Sequence, residues 1–142
     1  MDYDEIIAKA QEIIRQKRFD PETRAIYKQL KTSLMGVLYE AQGGRCFYCE
    51  VPMDPDAGQT HHSRLTREHR VPKSLGSSWI DSPVLSCFLC NSRKSSLTEE
   101  EFLLSDSFMA ILRKRYAEGI YGKVNLKEKQ QHKIRQIIGD NK

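Results

Sequence analysis

A chain of 142 residues has the usual size of one domain, and 39% hydrophobic with 30% charged residues allow a packed core and exclude disorder throughout. No apolar run approaches the roughly 18 residues of a bilayer span, and the start Met1-Asp2-Tyr3-Asp4-Glu5 is acidic where a signal peptide is basic, so no membrane association and a cytoplasmic location are expected. The net charge of +4 suits an anionic partner such as nucleic acid, and the excess lies in the middle and C-terminal thirds.

In chain order, Asp2 can cap a first helix, with Glu5 three residues on as in a capping box and Ile6, Ile7, Ala10, Ile13 and Ile14 as its apolar stripe. After a break at Arg18-Phe19-Asp20-Pro21, Asp20 suits an N-cap and Pro21 a first turn. The second helix then carries Ile26, Leu30, Leu34, Val37, Leu38 and Ala41 and stops at Gly43-Gly44. From 45 to 97 the periodicity fades, and short strands, turns and one short helix organised by a metal are expected. Thr98-Glu99-Glu100-Glu101 forms another capping box, opening a helical region that reaches about residue 116. A Gly-rich break at Gly119 and Gly122 precedes a last helix from about 125 to 138. Apolar stripes of this kind are core faces.

The middle segment holds all four cysteines, as Cys46-Phe47-Tyr48-Cys49 and Cys87-Phe88-Leu89-Cys90. A reducing compartment disfavours disulfides, and two Cys-x-x-Cys knuckles supply the four sulfurs of a closed, tetrahedral, structural zinc site. Simple two-knuckle sites have about 15–20 residues between the pairs, whereas 37 separate Cys49 from Cys87. Something is inserted between the knuckles, and the function should lie there.

The insert contains Leu65-Thr66-Arg67-Glu68-His69-Arg70-Val71-Pro72-Lys73-Ser74-Leu75-Gly76, then Trp79-Ile80-Asp81-Ser82-Pro83-Val84-Leu85-Ser86 ahead of Cys87-Phe88-Leu89-Cys90-Asn91-Ser92-Arg93-Lys94. Over about residues 44–97 this resembles the zinc-bearing HNH endonucleases. There an acidic residue and a histidine precede x-x-Pro and a Gly turn, a Val-Leu strand leads into the second knuckle, and Asn or His follows the last cysteine. The resemblance implies an α+β fold, a mainly helical chain around a small ββα-metal core braced by the four-cysteine zinc. It places Glu68 as the acidic ligand of a catalytic divalent ion (Mg2+ or Mn2+), His69 as general base, Asn91 as second metal ligand and Lys94 as the basic residue three positions on. The family's middle Asn is replaced by Ser82, flanked by Asp81 and Pro83, and Asp81 is expected to take over the tie that presents His69.

The chemistry asks for the same residue types. An imidazole can take a proton from water near neutral pH, and a divalent ion on a carboxylate and an amide oxygen can neutralise charge on a phosphate and a leaving oxygen. Glu68 and His69 are adjacent, so a regular strand would turn them to opposite faces, and a bend is expected there. Arg64, Arg67, Arg70, Lys73, Arg93 and Lys94 are candidate phosphate contacts. His61-His62 can approach the site or belong to a polar loop, and Trp79 can stack on a base or, more in keeping with a small fold, pack in the core. The expected organisation is N-terminal helices at 1–43, the zinc-braced core at 44–97 and C-terminal helices at 98–142, all in one domain. The expected function is a DNA endonuclease or nickase, a phosphodiester hydrolase. Its rivals are a non-cleaving nucleic-acid-binding module and a subunit whose helical flanks dock a larger nuclease or packaging assembly.

Overall fold

The N-terminal hairpin forms where caps and apolar spacing coincide. In the computed structural model, which describes residues 1–17, 20–70, 79–80 and 83–139 with His69 by its backbone alone, α1 (Tyr3–Gln16) starts at Asp2, whose carboxylate accepts the Glu5 N–H at 2.9 Å. Helix α2 (Pro21–Ala41) starts at Asp20, which accepts from the Thr23 N–H at 2.9 Å, with Pro21 in the first turn. Ile6 and Ala10 bury against Leu30, Leu34 and Leu38. Three residues of the expected stripes do not: Ile14, Ile26 and Ala41 are exposed. Each step of four residues advances about 40° round a helix, so the row that begins at Leu38 has drifted out of the interface by Ile26. Gly43 and Gly44 end the helix in the left-handed region, and a Cβ at Gly44 would lie 2.9 Å from the Tyr39 hydroxyl oxygen.

The first knuckle follows at once, closed by Cys46 N–H to the Val51 carbonyl at 2.9 Å and by Glu50 N–H to the Cys46 carbonyl at 3.0 Å. Strands β1 (Leu65–His69) and β2 (Pro83–Cys87) pair antiparallel, with Leu65 opposite Cys87 and His69 opposite Pro83. The ladder runs through His69, so the bend expected between Glu68 and His69 is absent; the chain bends one residue later, at Arg70. β2 leads directly into α3 (Phe88–Lys94), with the Cys87 sulfur at its N-cap, and α3 packs on both strands. Gln42, just past α2, seals β2 from the other side. Its amide nitrogen donates to the Leu85 carbonyl at 2.8 Å and its oxygen accepts the Leu85 N–H at 2.9 Å.

The helical region expected from 98 to about 116 consists of two helices. α4 (Glu99–Leu103) carries the Thr98 capping box, and α5 (Asp106–Ala117) starts afresh at Ser105, whose hydroxyl accepts the Phe108 N–H at 3.1 Å while donating to the Phe102 carbonyl. A second cap inside an apolar periodicity outweighs the periodicity, because it satisfies backbone groups that a continuous helix would otherwise bond itself. α6 (Leu126–Ile137) starts at Asn125. The described residues thus give an α+β architecture of six helices and one two-stranded antiparallel sheet. One buried cluster joins Ile6 of α1, Leu38 of α2, the four cysteines, Leu85 of β2, Phe102 of α4 and Leu112 of α5. Among the described residues no helix is long and apolar enough to cross a membrane.

Candidate metal centre and the adjoining polar seam

The register that sets Leu65 opposite Cys87 puts the start of β1 beside the second knuckle, while the bond from Phe47 N–H to the Leu85 carbonyl at 3.1 Å brings in the first. The four cysteines are buried, and their sulfurs all lie within 4.8 Å of one another, with Cys49 and Cys87 at 3.6 Å. Thiolates about 2.3 Å from a tetrahedral ion would be about 3.8 Å apart, so the cluster is arranged to hold one metal ion and is compatible with structural zinc. The Cys90 N–H points at the Cys87 sulfur at 3.4 Å. Burial pushes the Cys46 and Cys90 thiols well up, whereas hydrogen bonds from neighbouring thiols, Cys46 first, hold Cys87 far down. Thiols this close share their protons, and a divalent cation would take all four as thiolates.

The C-terminal helices form the outer wall of this cluster. From α5, Arg115 reaches the Cys87 sulfur at 3.4 Å and the His62 carbonyl at 2.9 Å, and the Tyr121 hydroxyl donates to the Cys49 carbonyl. From α6, Lys129 and Lys133 both bind Glu50, at 3.0 and 2.7 Å, and Lys133 also reaches the Phe47 carbonyl. Burial acts to raise the Glu50 carboxyl, but the two lysines outweigh it and hold it below the usual range.

About 10 Å along β1, three residues at the rise of a strand, lies the second polar site. Thr66 and Glu68 are two apart and share the face that meets α3, where Asn91 and Lys94 sit one turn apart. The Asn91 amide nitrogen donates to the Thr66 hydroxyl at 3.0 Å and the Arg67 carbonyl at 3.2 Å. Lys94, fully buried, lies 3.3 Å from the Glu68 carboxylate, itself 5% exposed. Below them the buried Glu99 of α4 takes two bonds from Arg70, at 2.7 and 2.9 Å, and one from the Tyr48 hydroxyl at 3.1 Å. Burial first, then the Glu99 and Glu68 charges, push the Tyr48 hydroxyl far up, so it stays a donor. The Arg70 guanidinium also lies 5.3 Å from the centre of the Phe47 ring.

The structure therefore sets Glu68 beside Lys94 and Asn91 against the neighbouring Thr66 and Arg67 carbonyl, with the His69 backbone next in the strand. The His69 side chain, Lys73, Asp81 and Ser82 lie outside the described residues. Arg67 and Arg93 are exposed, whereas Arg64 is half-buried with a bond to the Gln59 carbonyl at 3.0 Å. His61 and His62 lie in a polar loop, His61 accepting the Ser63 N–H through Nδ1. Trp79 is buried edge-on to Tyr27, ring centres 5.2 Å apart. Sequence reasoning missed Arg115, Gln42 and Glu99, and also Lys31, which lines a small cleft with Arg67, Glu68 and Trp79. Each acts across the chain rather than within a motif, and only the spacing of Lys31 at i+7 from Arg24, a basic row on α2, left a local trace. No protein-family model, curated protein or solved structure matches the chain.

Proposed function

We propose that the chain is a zinc-braced, metal-dependent DNA endonuclease or nickase of the HNH kind. In this reading the four cysteines hold a structural zinc, His69 is the general base, and Glu68 and Asn91 hold a catalytic Mg2+ or Mn2+, which requires the end of β1 to bend at His69 when the site is occupied. The observation that carries it is the packing of α3 across β1, which sets Lys94 beside Glu68 and Asn91 on Thr66 and the Arg67 carbonyl, in a strand–strand–helix unit whose base is the cysteine cluster. Asn91 is held by its amide nitrogen, which leaves its oxygen as the atom to face an ion. A carboxylate and an amide oxygen form a hard donor set that suits such ions. When bound, the ion would neutralise charge on the scissile phosphate and the leaving oxygen. Arg67 and Arg93, exposed on the strand and helix beside Glu68, are placed to hold the nucleic-acid backbone.

A second reading is favoured by one observation. The Glu68 carboxylate already has an ammonium beside it, so a divalent ion there must share it with Lys94. A chain in which Lys94 keeps the carboxylate is a nucleic-acid-binding module that does not cleave, or a docking subunit of a larger assembly. Incubation of purified protein with supercoiled plasmid and Mg2+ or Mn2+ separates these readings. Nicking or linearisation that His69→Ala lowers by about 10²–10⁴, with zinc content unchanged, supports the nuclease. Cleavage by His69→Ala within threefold of the parent refutes the assignment of the base. Salt-dependent gel shifts without cleavage favour the binding module, and neither activity favours the docking subunit.

A further inference from the structure

Arg115 is the largest fully buried side chain among the described residues, and a guanidinium is costly to take out of water. Its Nη1 donates to Glu118 at 2.8 Å, but Glu118 is partly exposed and already pairs with Lys114 at 3.3 Å, so that carboxylate does not by itself require a buried arginine. The other terminal nitrogen turns inward, where Nη2 donates to the His62 carbonyl at 2.9 Å and to the Cys87 sulfur at 3.4 Å. Four thiolates around one divalent ion leave two negative charges in a buried site, and Arg115 is the buried cation in contact with them.

We infer that Arg115 is a positioning residue in the outer shell of the metal centre, offsetting part of the thiolate charge and locking the His62 loop onto the second knuckle. This rests on the cysteine cluster holding a metal. Outer-shell partners fix ligand orientation and tune donor strength, and their loss typically weakens metal binding about 10–100-fold. The guanidinium can reach carbonyl and sulfur at once from a planar fork, whereas a lysine at 115 would keep the charge and lose the fork.

The test uses the full chain loaded with zinc, and again with cobalt as a spectroscopic probe. In competition with a chromophoric chelator at fixed neutral pH, Arg115→Met should bind zinc about 10–100-fold more weakly than the parent, with Arg115→Lys in between. In the cobalt form, losing the positive charge makes the thiolates better donors, so their charge-transfer band should move to lower energy in Arg115→Met and return towards the parent in Arg115→Lys. A role in packing alone would leave the band in place. Glu118→Gln frees Arg115 from its carboxylate and should move the band the opposite way, which keeps the inference testable if Arg115→Met does not fold. Zinc affinity within twofold of the parent in Arg115→Met with an unmoved band overturns the inference, and so does an unmoved band in Glu118→Gln. A parent chain that takes up no metal at its cysteines overturns the metal reading and this inference together, before any variant is compared.

Discussion

The two ends of the β1–β2 hairpin are built on opposite electrostatic plans. At the Leu65–Cys87 end, four buried sulfurs of one kind converge, and among the described residues the cation that hydrogen-bonds to them is Arg115. At the Glu68–Val84 end the charges are already matched within the chain: Lys94 lies beside Glu68, and Arg70 grips Glu99. The first arrangement calls for a cation from outside, whereas the buried carboxylates of the second already have cations of this chain beside them. One end is thus arranged to hold a metal, and the other would have to rearrange its own ion pair to admit one. Breaking each end in turn should therefore give different results.

The largest effect should come from the cysteine end. Structural zinc sites contribute on the order of 10 kcal/mol to folding, and here the cluster joins the first knuckle, β2, α3 and the wall formed by α5 and α6. Cys87→Ser, or removal of zinc by a strong chelator, should abolish cooperative unfolding and disperse the hairpin as well as the knuckles. Metal analysis together with circular dichroism and amide NMR checks this. Well-folded protein without zinc would show that the apolar core suffices and that the cysteines are passengers.

The seam should respond less, and in a way that reveals its plan. Glu68→Gln leaves the buried Lys94 ammonium without this carboxylate, which should cost about 3–5 kcal/mol; adding Lys94→Met should recover most of it, because a buried pair can be replaced by apolar groups at little net cost. Urea unfolding of the zinc-loaded single and double variants measures the coupling. Additive losses would mean that the two groups act independently and that the carboxylate is open to an ion.

Why one end was legible in the sequence and the other only in part follows from the distances involved. Caps are local, so Asp2 and Thr98 could be placed from three-residue spacings, Asp20 from the proline that follows it, and the knuckles from Cys-x-x-Cys. Glu68 and Lys94 were singled out for their match to a motif, but their mutual contact spans 26 residues and depends on α3 lying across β1. The same holds for Arg115, 28 residues beyond the sulfur it touches, and for Gln42, 43 residues before the strand it seals. No periodicity encodes such contacts. The break at Ser105 is a different case: Ser-Asp ahead of Phe108 is a local cap signal inside the helical region expected from 98 to about 116.

Gln42 yields a smaller prediction that separates the hairpin's framework from both of its ends. Gln42→Ala leaves the buried Leu85 N–H without its acceptor, while the Leu85 carbonyl keeps the Phe47 N–H. The expected loss is about 1–3 kcal/mol, the cost of one unsatisfied buried amide and a lost side-chain bond. Zinc stoichiometry should stay at the parent value. If Gln42→Ala instead releases zinc, the framework and the metal end are one cooperative unit, and the contrast between the two ends begins at β2 rather than at the cysteines.

The smallest effect distinguishes arginines that look alike in sequence. Arg67, Arg70 and Arg93 all fit a phosphate-binding face, but only Arg67 and Arg93 are exposed, while the guanidinium of Arg70 is shared between Glu99, the Ile137 carbonyl and the Phe47 ring. Each phosphate neutralised by a protein cation adds about 0.9 to the slope of log affinity against log salt on duplex DNA. Arg67→Gln and Arg93→Gln should each flatten that slope by about 0.9 and leave the unfolding midpoint nearly unchanged, since surface substitutions of this kind cost little. Arg70→Gln should do the reverse, lowering the midpoint because the Glu99 carboxylate stays buried without the arginine's charge, and leaving the slope alone. Gel shifts at several salt concentrations, paired with urea unfolding of the same preparations, read both quantities. A flattened slope in Arg70→Gln without loss of stability would mean that Arg70 leaves Glu99 when nucleic acid binds. The charge matching at this end of the hairpin would then be a resting arrangement that phosphate can open, and the contrast with the cysteine end would hold for the free protein alone.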